Sequence, residues 1–368
     1  MKKDTAVKFT LAGLTAASLF AVATVTSAAG KLNVSNWAEY MAEDTIDNFA
    51  KEYDVEVTFT PYDSVEAIDS KLLAGSSGYD VVSHSASSVA RLRQGDILRK
   101  IDKTRLPNFK HISPDIMAQV GQKFDPGHNY FVPYMWGTHG VTFNREMVLE
   151  VHPDAPLGSL DMVFKPEHME KLAKCGVAFL DSPGDIIPTA LAYLGHHPDS
   201  TDKAHYKEVE EMLLKVRPYI KTFDNYAYQR MPEKEFCVAF TWGPDGLLAM
   251  SGAAEAETGV VLEFFQPKEA AQFWVDGWVI PGDAKNIDNA YLFLNYMMRP
   301  EVGANDSNYT WYATANKDAL PMVDEEVKMS TAAYPTPAQI SMMYTTLPLP
   351  PKMERVLTRT WTNFKAGN

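Results

Sequence analysis

The sequence predicts an α/β protein of two lobes, each with a mostly parallel sheet flanked by helices. Near the N-terminus, short apolar strands alternate with segments of helical periodicity, which favours sheets wound by right-handed crossovers. The chain has 368 residues, of which 46% are hydrophobic, and this is more than one core usually holds. Two extended segments, residues 133–138 and 278–281, are suited to carry the chain between the two sheets.

The first lobe begins with a βαβ pattern. Residues 31–35 form a short strand, and apolar residues at helical spacing over 44–53 predict a helix. Alternating apolar residues over 55–59 predict the second strand. A helix over 64–74 and a strand over 81–83 continue the pattern. Because ligands of parallel sheets lie beyond the carboxyl ends of the strands, residues that follow these strands are candidates for a site.

The later elements follow the same logic. In chain order they are a crossing at 133–138, strands at 177–180 and 237–241, a return strand at 278–281, a helix at 287–298 stopped by Pro300, and a final helix at 352–364. These positions predict lobe 1 over residues 29–135 and 279–330, and lobe 2 over residues 136–278 and 331–368. Two crossings predict a hinged pair with a central cleft.

The first 28 residues have the pattern of a secretory signal peptide. Lys2, Lys3 and Lys8 precede an uncharged run that ends in small residues. A membrane anchor is the alternative, but the run lacks a basic stop-transfer flank, and no later stretch has the ~20 apolar residues of a membrane helix. We therefore expect an exported, soluble mature protein.

The net charge and the cysteine content limit the classes of ligand and of chemistry that the protein can support. The formal charge of −13 disfavours binding to nucleic acid or anionic lipid. In an oxidising compartment, the two cysteines, Cys175 and Cys237, suggest a bridge. The alternative is a free cysteine that acts as a nucleophile.

Carboxylates stand beside large aromatic rings in three separated stretches. These are Trp37-Ala38-Glu39-Tyr40, Trp242-Gly243-Pro244-Asp245 and Trp274-Val275-Asp276, and Trp311-Tyr312 adds rings without an acid. Rings can cover the methylenes and face the ammonium groups of a linear organic dication, while carboxylates replace the water removed from each charge. The pattern therefore indicates a binding site for such a cation, provided that the stretches converge in one cleft.

Further stretches make the chain resemble the periplasmic polyamine-binding proteins of bacterial ABC importers. The resemblance runs from about residue 31 to the C-terminus. It is carried by Asn36-Trp37, Ala74-Gly75-Ser76, Ser85-Ala86-Ser87, Pro133-Tyr134-Met135-Trp136, Cys175-Gly176-Val177, Phe179-Leu180-Asp181, Ala284-Lys285-Asn286 and Thr358-Arg359-Thr360-Trp361. It implies the type II periplasmic-binding-protein fold, a disulfide between Cys175 and Cys237, and no cofactor, metal or catalytic residue.

The resemblance also implies a role for each candidate site residue. The rings around the alkyl chain would be Trp37, Tyr40, Trp242, Trp274 and Tyr312. Glu39 and Asp276 would lie near one end of the ligand, Asp185 and Asp245 toward the other, and Ser85 would add a polar contact from the first lobe.

The two branches of this family are not matched equally. Glu39 and Trp274 are similar to the spermidine-binding branch, whereas Asp245 and the similarity as a whole favour the putrescine-binding branch. The spermidine branch tends to have an acid where this chain has Ser182, so a third ammonium group has no evident partner. Ala38 stands where the family often has a hydroxyl, and Asp185 is shorter than the Glu expected there.

Other functions fit the residues less well. The chain has no G-x-S-x-G, P-loop, H-E-x-x-H or C-x-x-C motif, which disfavours an enzyme. His196, His197 and His205 are the only hint of a metal, but Pro198-Asp199-Ser200 indicates a surface loop. A sensor that reads the same ligand-driven closure remains an alternative.

The sequence thus predicts the periplasmic, monomeric binding component of an ABC polyamine importer. Its expected ligand is putrescine, with a preference for spermidine as the alternative. Its expected partner is an inner-membrane permease.

Overall fold

The computed structural model describes residues 30–256 and 259–367. The predicted signal peptide, residues 1–28, lies outside the described residues. Among the helices in those two ranges, none has both the length and the apolar character needed to cross a membrane.

The strands and helices largely follow the predicted pattern. The strands are β1 (Gly30–Trp37), β2 (Val55–Tyr62), β3 (Val81–Ser85), β4 (Val132–Asn144), β5 (Val177–Phe179), β6 (Thr222–Phe223), β7 (Val238–Trp242), β8 (Leu262–Phe265), β9 (Phe273–Val279) and β10 (Ala313–Thr314). The α-helices are α1 (Thr45–Tyr53), α2 (Val65–Leu73), α3 (Ala86–Leu92), α4 (Pro114–Lys123), α5 (Arg145–Val151), α6 (Asp161–Phe164), α7 (Pro166–Leu172), α8 (Pro183–Tyr193), α9 (Lys203–Val216), α10 (Gly243–Glu255), α11 (Ile287–Met297), α12 (Pro300–Thr310), α13 (Glu325–Met329), α14 (Pro337–Met342) and α15 (Pro351–Ala366). Short 3-10 helices cover Lys103–Arg105, Pro107–His111, Arg217–Tyr219, Ala227–Arg230 and Leu320–Met322.

The strands form two sheet regions that share β4. The first has the order β2-β1-β3-β9-β4, with β10 beside β4, and the second has the order β4-β7-β5-β6, with β8 beside β4. All thirteen residues of β4 are buried; its first half pairs with β9, and residues His139–Phe143 pair with β7. This strand therefore carries the chain between lobes at the predicted crossing, and β9 contains the start of the predicted return.

The two-lobed α/β fold is confirmed, but its sheets are mixed. Strand β1 runs parallel to β2 and β3, and β5 runs parallel to β6 and β7. In contrast, β9 is antiparallel to both β3 and β4, and β4 is antiparallel to β7, β8 and β10. The antiparallel pairs follow from the two crossings between the lobes. Strand β4 carries the chain out of the first lobe and β9 carries it back beside β4, so the two strands run in opposite directions.

Each sheet region has its own apolar core. Around the first, Leu32, Val34, Trp278 and Phe293 are fully buried. Around the second, the cluster includes Val141, Phe179 and Phe240 together with one face of α15, formed by Met353, Leu357, Trp361 and Phe364. The C-terminal helix packs in the second core, whereas Tyr334, Ile340 and Met343 pack against a cluster of the first sheet region, so the division of the chain into lobes stays a prediction.

A disulfide joins Cys175 and Cys237, with their Cα atoms 5.4 Å apart. The two residues precede the adjacent parallel strands β5 and β7, so the bridge ties together the starts of these strands. This confirms the pairing and excludes a free cysteine nucleophile at either position.

Candidate functional site

Five of the predicted site residues lie where strands end or helices begin. Trp37, Ser85 and Trp242 are the last residues of β1, β3 and β7. Asp245 lies in the first turn of α10, immediately after β7, and Asp185 lies in the first turn of α8. The carboxyl ends of these strands therefore form one edge of the site, as expected for parallel strands.

Strand β9 brings two further predicted residues to this edge. Ser85 on β3 is paired with Asp276, and Gly137 on β4 is paired with Trp274. A Cβ atom at position 137 would lie 2.6 Å from the Trp274 ring. Gly137 thus leaves room for the indole against the hinge strand.

Three of the predicted rings form one contiguous group. The Tyr40 and Tyr312 ring centroids are 4.8 Å apart in an edge-to-face arrangement, and those of Trp274 and Tyr312 are 5.6 Å apart. Tyr40 and Tyr312 are buried, whereas Trp274 is half-buried. Such aromatic pairs are favourable beyond their buried area.

The other two predicted rings flank this group. Trp37 packs on Tyr62, with centroids 4.4 Å apart. Trp242 packs against the apolar cores of both lobes. The buried Nε1 atoms of Trp37 and Trp274 have no hydrogen-bond partner among the residues that the structure describes. Buried polar groups are normally paired, so these two N–H groups are available to a polar ligand or to water.

Asp245 and Asp276 are buried carboxyl groups of the site. The Tyr312 hydroxyl donates a hydrogen bond of 2.6 Å to Oδ1 of Asp245. Burial raises the pKa of Asp245 to about 7, against the opposing effect of the Tyr312 hydrogen bond, and the Glu39 carboxylate raises it further. Burial also raises the pKa of Asp276 to about 7, with the Asp185 carboxylate adding to the shift. Among the residues that the structure describes, no positively charged side chain contributes to the pKa of either acid.

Asp185 is held by polar side chains of the second lobe. Its Oδ2 accepts hydrogen bonds from the Ser182 hydroxyl at 2.6 Å and from Nε1 of Trp242 at 3.2 Å. Nδ1 of His139 lies 3.9 Å from Oδ1. The indole of Trp242 therefore orients an acid as well as offering a ring face.

Glu39 differs from the other acids because its side chain spans the cleft. It is exposed, and its backbone has a φ of 56°, in the left-handed region. Its Oε2 accepts hydrogen bonds from Gln229 Nε2 at 2.9 Å and from the Tyr228 hydroxyl at 3.2 Å. Both donors come from the 3-10 helix at Ala227–Arg230 in the second lobe, so these contacts form a latch between the lobes.

The electrostatic effects of the four acids on one another differ from the grouping that the resemblance implies. Asp185 is the carboxylate that most affects Asp276, and Glu39 is the one that most affects Asp245. The resemblance instead placed Glu39 with Asp276 and Asp185 with Asp245. We therefore hypothesise one acidic end formed by Asp185 and Asp276, and a second formed by Glu39 and Asp245.

The remaining candidates have mainly local partners. The Ser85 hydroxyl lies 3.2 Å from that of Ser87 and accepts from the Ser88 N–H at the start of α3. The rings of His196 and His205 stack at 3.7 Å, and Nε2 of His196 contacts Glu208. Within residues 30–256 and 259–367, no group of three or more His, Cys, Asp and Glu side chains is arranged to hold a metal ion.

Comparisons with known proteins place these features in context. The sequence matches the profile of the family described as bacterial extracellular solute-binding protein over residues 44–336. It is 41% identical to the putrescine-binding periplasmic protein PotF of Escherichia coli (strain K12), over 97% of this chain and 98% of that protein. It is 40% identical to the putrescine-binding periplasmic protein SpuD of Pseudomonas aeruginosa (strain UCBPP-PA14), over 91% of this chain and 92% of that protein. The crystal structure of the spermidine/putrescine ABC transporter substrate-binding protein PotD of Streptococcus pneumoniae superposes with a TM-score of 0.75, at 26% identity, over 92% of this chain and 99% of that chain.

Proposed function

This chain belongs to the bacterial extracellular solute-binding proteins, and we propose that it captures putrescine in the periplasm and delivers it to an ABC permease. The family is one of binding proteins, in line with the expectation that the chain is not an enzyme. The names of the relatives support putrescine as the ligand and the periplasm as the location.

The observation that carries the proposal is the pair of buried acids beside the aromatic group. Asp245 and Asp276 have pKa values of about 7 because burial disfavours their ionised forms. A diammonium ligand would reverse this effect at both positions, since an adjacent positive charge favours the carboxylate. A neutral or anionic ligand would supply no positive charge to offset the cost of ionising these two buried carboxyl groups.

The proposed pose follows the grouping of the acids. One ammonium group lies between Asp185 and Asp276, and the other lies beside Asp245 and Glu39. The rings of Tyr40, Trp274 and Tyr312, flanked by Trp37 and Trp242, cover the four methylenes. Ser85 contributes a hydroxyl near Asp276, its partner in the sheet.

Two of the site acids, Asp245 and Glu39, also make hydrogen bonds between the two lobes. Tyr312 of the first lobe donates to Asp245 of the second, and Glu39 of the first lobe accepts from Tyr228 and Gln229 of the second. A ligand that neutralises Asp245 and Glu39 would lower the repulsion between these acids across the cleft. We propose that ligand binding and closure stabilise each other in this way, and that the closed monomer docks on the permease.

A preference for spermidine is the second candidate, supported by the Glu39 and Trp274 side chains. The Ser182 hydroxyl, however, donates to Asp185 and supplies no charge for a third ammonium group. This favours the shorter dication.

Uptake of labelled putrescine by the native bacterium tests the role in transport. Deleting the gene should abolish high-affinity uptake, and the wild-type chain should restore it. If deletion leaves uptake unchanged but removes a transcriptional response to putrescine, the protein serves a sensor and the importer role is wrong.

A further inference from the structure

We propose that Asp306 is a positioning residue of the ligand site, which holds the loop of residues 38–44 in the conformation required for binding. This ligand loop lies between β1 and α1 and carries Glu39 and Tyr40. The inference rests on the proposed function only in assigning these two residues to the ligand.

Asp306 reaches the ligand loop from α12, far away in the sequence. Its side chain is fully buried. Its Oδ1 accepts hydrogen bonds from the Ala42 N–H at 3.0 Å and from the Thr45 hydroxyl at 2.6 Å. One carboxyl oxygen thus fixes the end of the ligand loop and the first residue of α1.

The other oxygen of Asp306 is connected to Tyr40 through Tyr134. Oδ2 lies 2.9 Å from the Tyr134 hydroxyl, and that hydroxyl lies 3.0 Å from the Tyr40 carbonyl oxygen. The Tyr40 ring in turn meets both Tyr134 and Tyr312 edge to face. A displacement of Asp306 would therefore be transmitted to a ring of the site.

The ligand loop needs such an anchor because its backbone is strained. Glu39 has a φ of 56°, which a residue with a side chain adopts at a cost in free energy. A conformation of this kind persists only where the surrounding contacts fix it. The contacts of Asp306 and Tyr134 with Tyr40 and Ala42 lie within three residues of this position.

The Tyr134 hydroxyl lies within hydrogen-bond distance of two oxygen atoms, Oδ2 of Asp306 and the carbonyl oxygen of Tyr40. The hydroxyl has one hydrogen, and the Tyr40 carbonyl can only accept. When Asp306 is ionised, the Tyr134 hydroxyl donates to Asp306 Oδ2 or to the Tyr40 carbonyl; when Asp306 is protonated, it donates to Tyr134, and Tyr134 donates to Tyr40. Burial and the nearby Asp44 carboxylate raise the pKa of Asp306 to about 6, although its three hydrogen bonds oppose the shift. Besides Asp44 and Tyr134, the titratable group of α11 that interacts with Asp306 is Tyr296.

Asp80 provides a matched control in the same lobe. It is also almost fully buried, and it accepts from the backbone N–H groups of Asn33, Lys285 and Asn286 and from the Asn286 side-chain amide. All four partners can only donate, so Asp80 must accept with both oxygens. Within the described part of the chain, its side chain makes no hydrogen bond with the ligand loop, because its partners belong to β1 and to the two residues before α11.

The test compares D306A, D306N, Y134F and D80A with the wild-type protein. We would measure the Kd for putrescine by calorimetry, the melting temperature, and hydrogen exchange of a peptide covering residues 38–44. D306A should raise the Kd by about tenfold or more and accelerate exchange in the ligand loop, because its anchor is lost. D306N should restore the Kd to within about threefold of wild type, because an amide can accept from Ala42 and donate to Tyr134.

The controls separate positioning from general stability. D80A should lower the melting temperature while leaving the Kd unchanged. The proposal is wrong if folded D306A binds as tightly as wild type, or if D80A weakens binding as much as D306A does. If D306A does not fold, Y134F decides, and it should also weaken binding and accelerate exchange. If the wild-type protein does not bind putrescine, the proposed function fails, whereas exchange in D306A and Y134F still tests whether Asp306 holds the loop.

Discussion

Replacing Asp276 with Asn should weaken putrescine binding by about two to three orders of magnitude. Only 8% of Asp276 is exposed, and burial together with Asp185 raises its pKa to about 7. Removing one partner of a buried ion pair costs about 3–5 kcal/mol. At 1.4 kcal/mol for each factor of ten, this range gives the expected loss. Asp185 would retain part of the attraction, which favours the lower end.

The same substitution should stabilise the ligand-free protein. The pKa of Asp276 is higher in the folded state than in the unfolded chain, so the fold loses stability as the pH rises from about 4 to about 7 and stays less stable above that range. Asn removes this cost. A variant that binds poorly yet melts no lower than wild type would therefore have lost a ligand contact and kept its fold.

Calorimetric titration at pH 7.5 and thermal melting would measure both effects. Asp125→Asn is a matched control, because Asp125 is also buried but contacts the backbone of Tyr130 and Phe131 instead of the site. It should change stability and leave the Kd unchanged. Binding of putrescine to the Asp276→Asn variant within about threefold of wild type would refute the assigned role of this carboxylate.

Four further predictions follow from the site and its surroundings. Putrescine affinity should fall as the pH drops below 7, by about tenfold per pH unit for each site acid with a pKa near 7, and affinity that stays constant down to pH 5 would contradict this. Gln229→Ala should increase the dissociation rate in stopped-flow measurements, because it removes a contact of Glu39 across the cleft. Replacing both Cys175 and Cys237 with Ser should lower the free energy of unfolding by roughly 4 kcal/mol, as expected for a bridge between residues 62 positions apart, with the Kd unchanged. Trp274→Phe should shift the ratio of spermidine to putrescine affinity in competition titrations, and an unchanged ratio would show that this ring does not select ligand length.

Local sequence patterns were sufficient to predict most of the fold. Leu32 and Val34 alternate toward the core, and the apolar face of α15 recurs at helical spacing, so these elements follow from periodicity. Helix α12 was not predicted, because Pro300 was interpreted only as the end of the preceding helix. In the structure Pro300 also begins α12, where its missing N–H costs nothing.

The extent of β9 was also underestimated. The sequence predicted a return strand at 278–281, whereas β9 begins at Phe273. Trp274 and Asp276 were interpreted as site residues, and their spacing is also that of one face of a strand. Both roles are compatible, because this face of β9 borders the cleft.

Contacts between distant residues could not be predicted from local patterns. Tyr228 and Gln229 donate hydrogen bonds to Glu39 from about 190 positions away in the sequence. They lie in a short 3-10 helix that has no recognisable motif. Asp306 lies in a polar stretch of weak amphipathic character, so nothing marks it as buried. The pairing of Asp185 with Asp276 likewise depends on how the two lobes meet.

A calorimetric titration of the mature protein, stripped of ligand, with putrescine and then spermidine tests the central claim most directly. One tight site for putrescine, with weaker binding of spermidine, is the predicted result. Tighter binding of spermidine would contradict the preference for the shorter dication and make Glu39 and Trp274 the better guides to specificity. An absence of heat with both ligands would contradict the assignment of this cleft to polyamines.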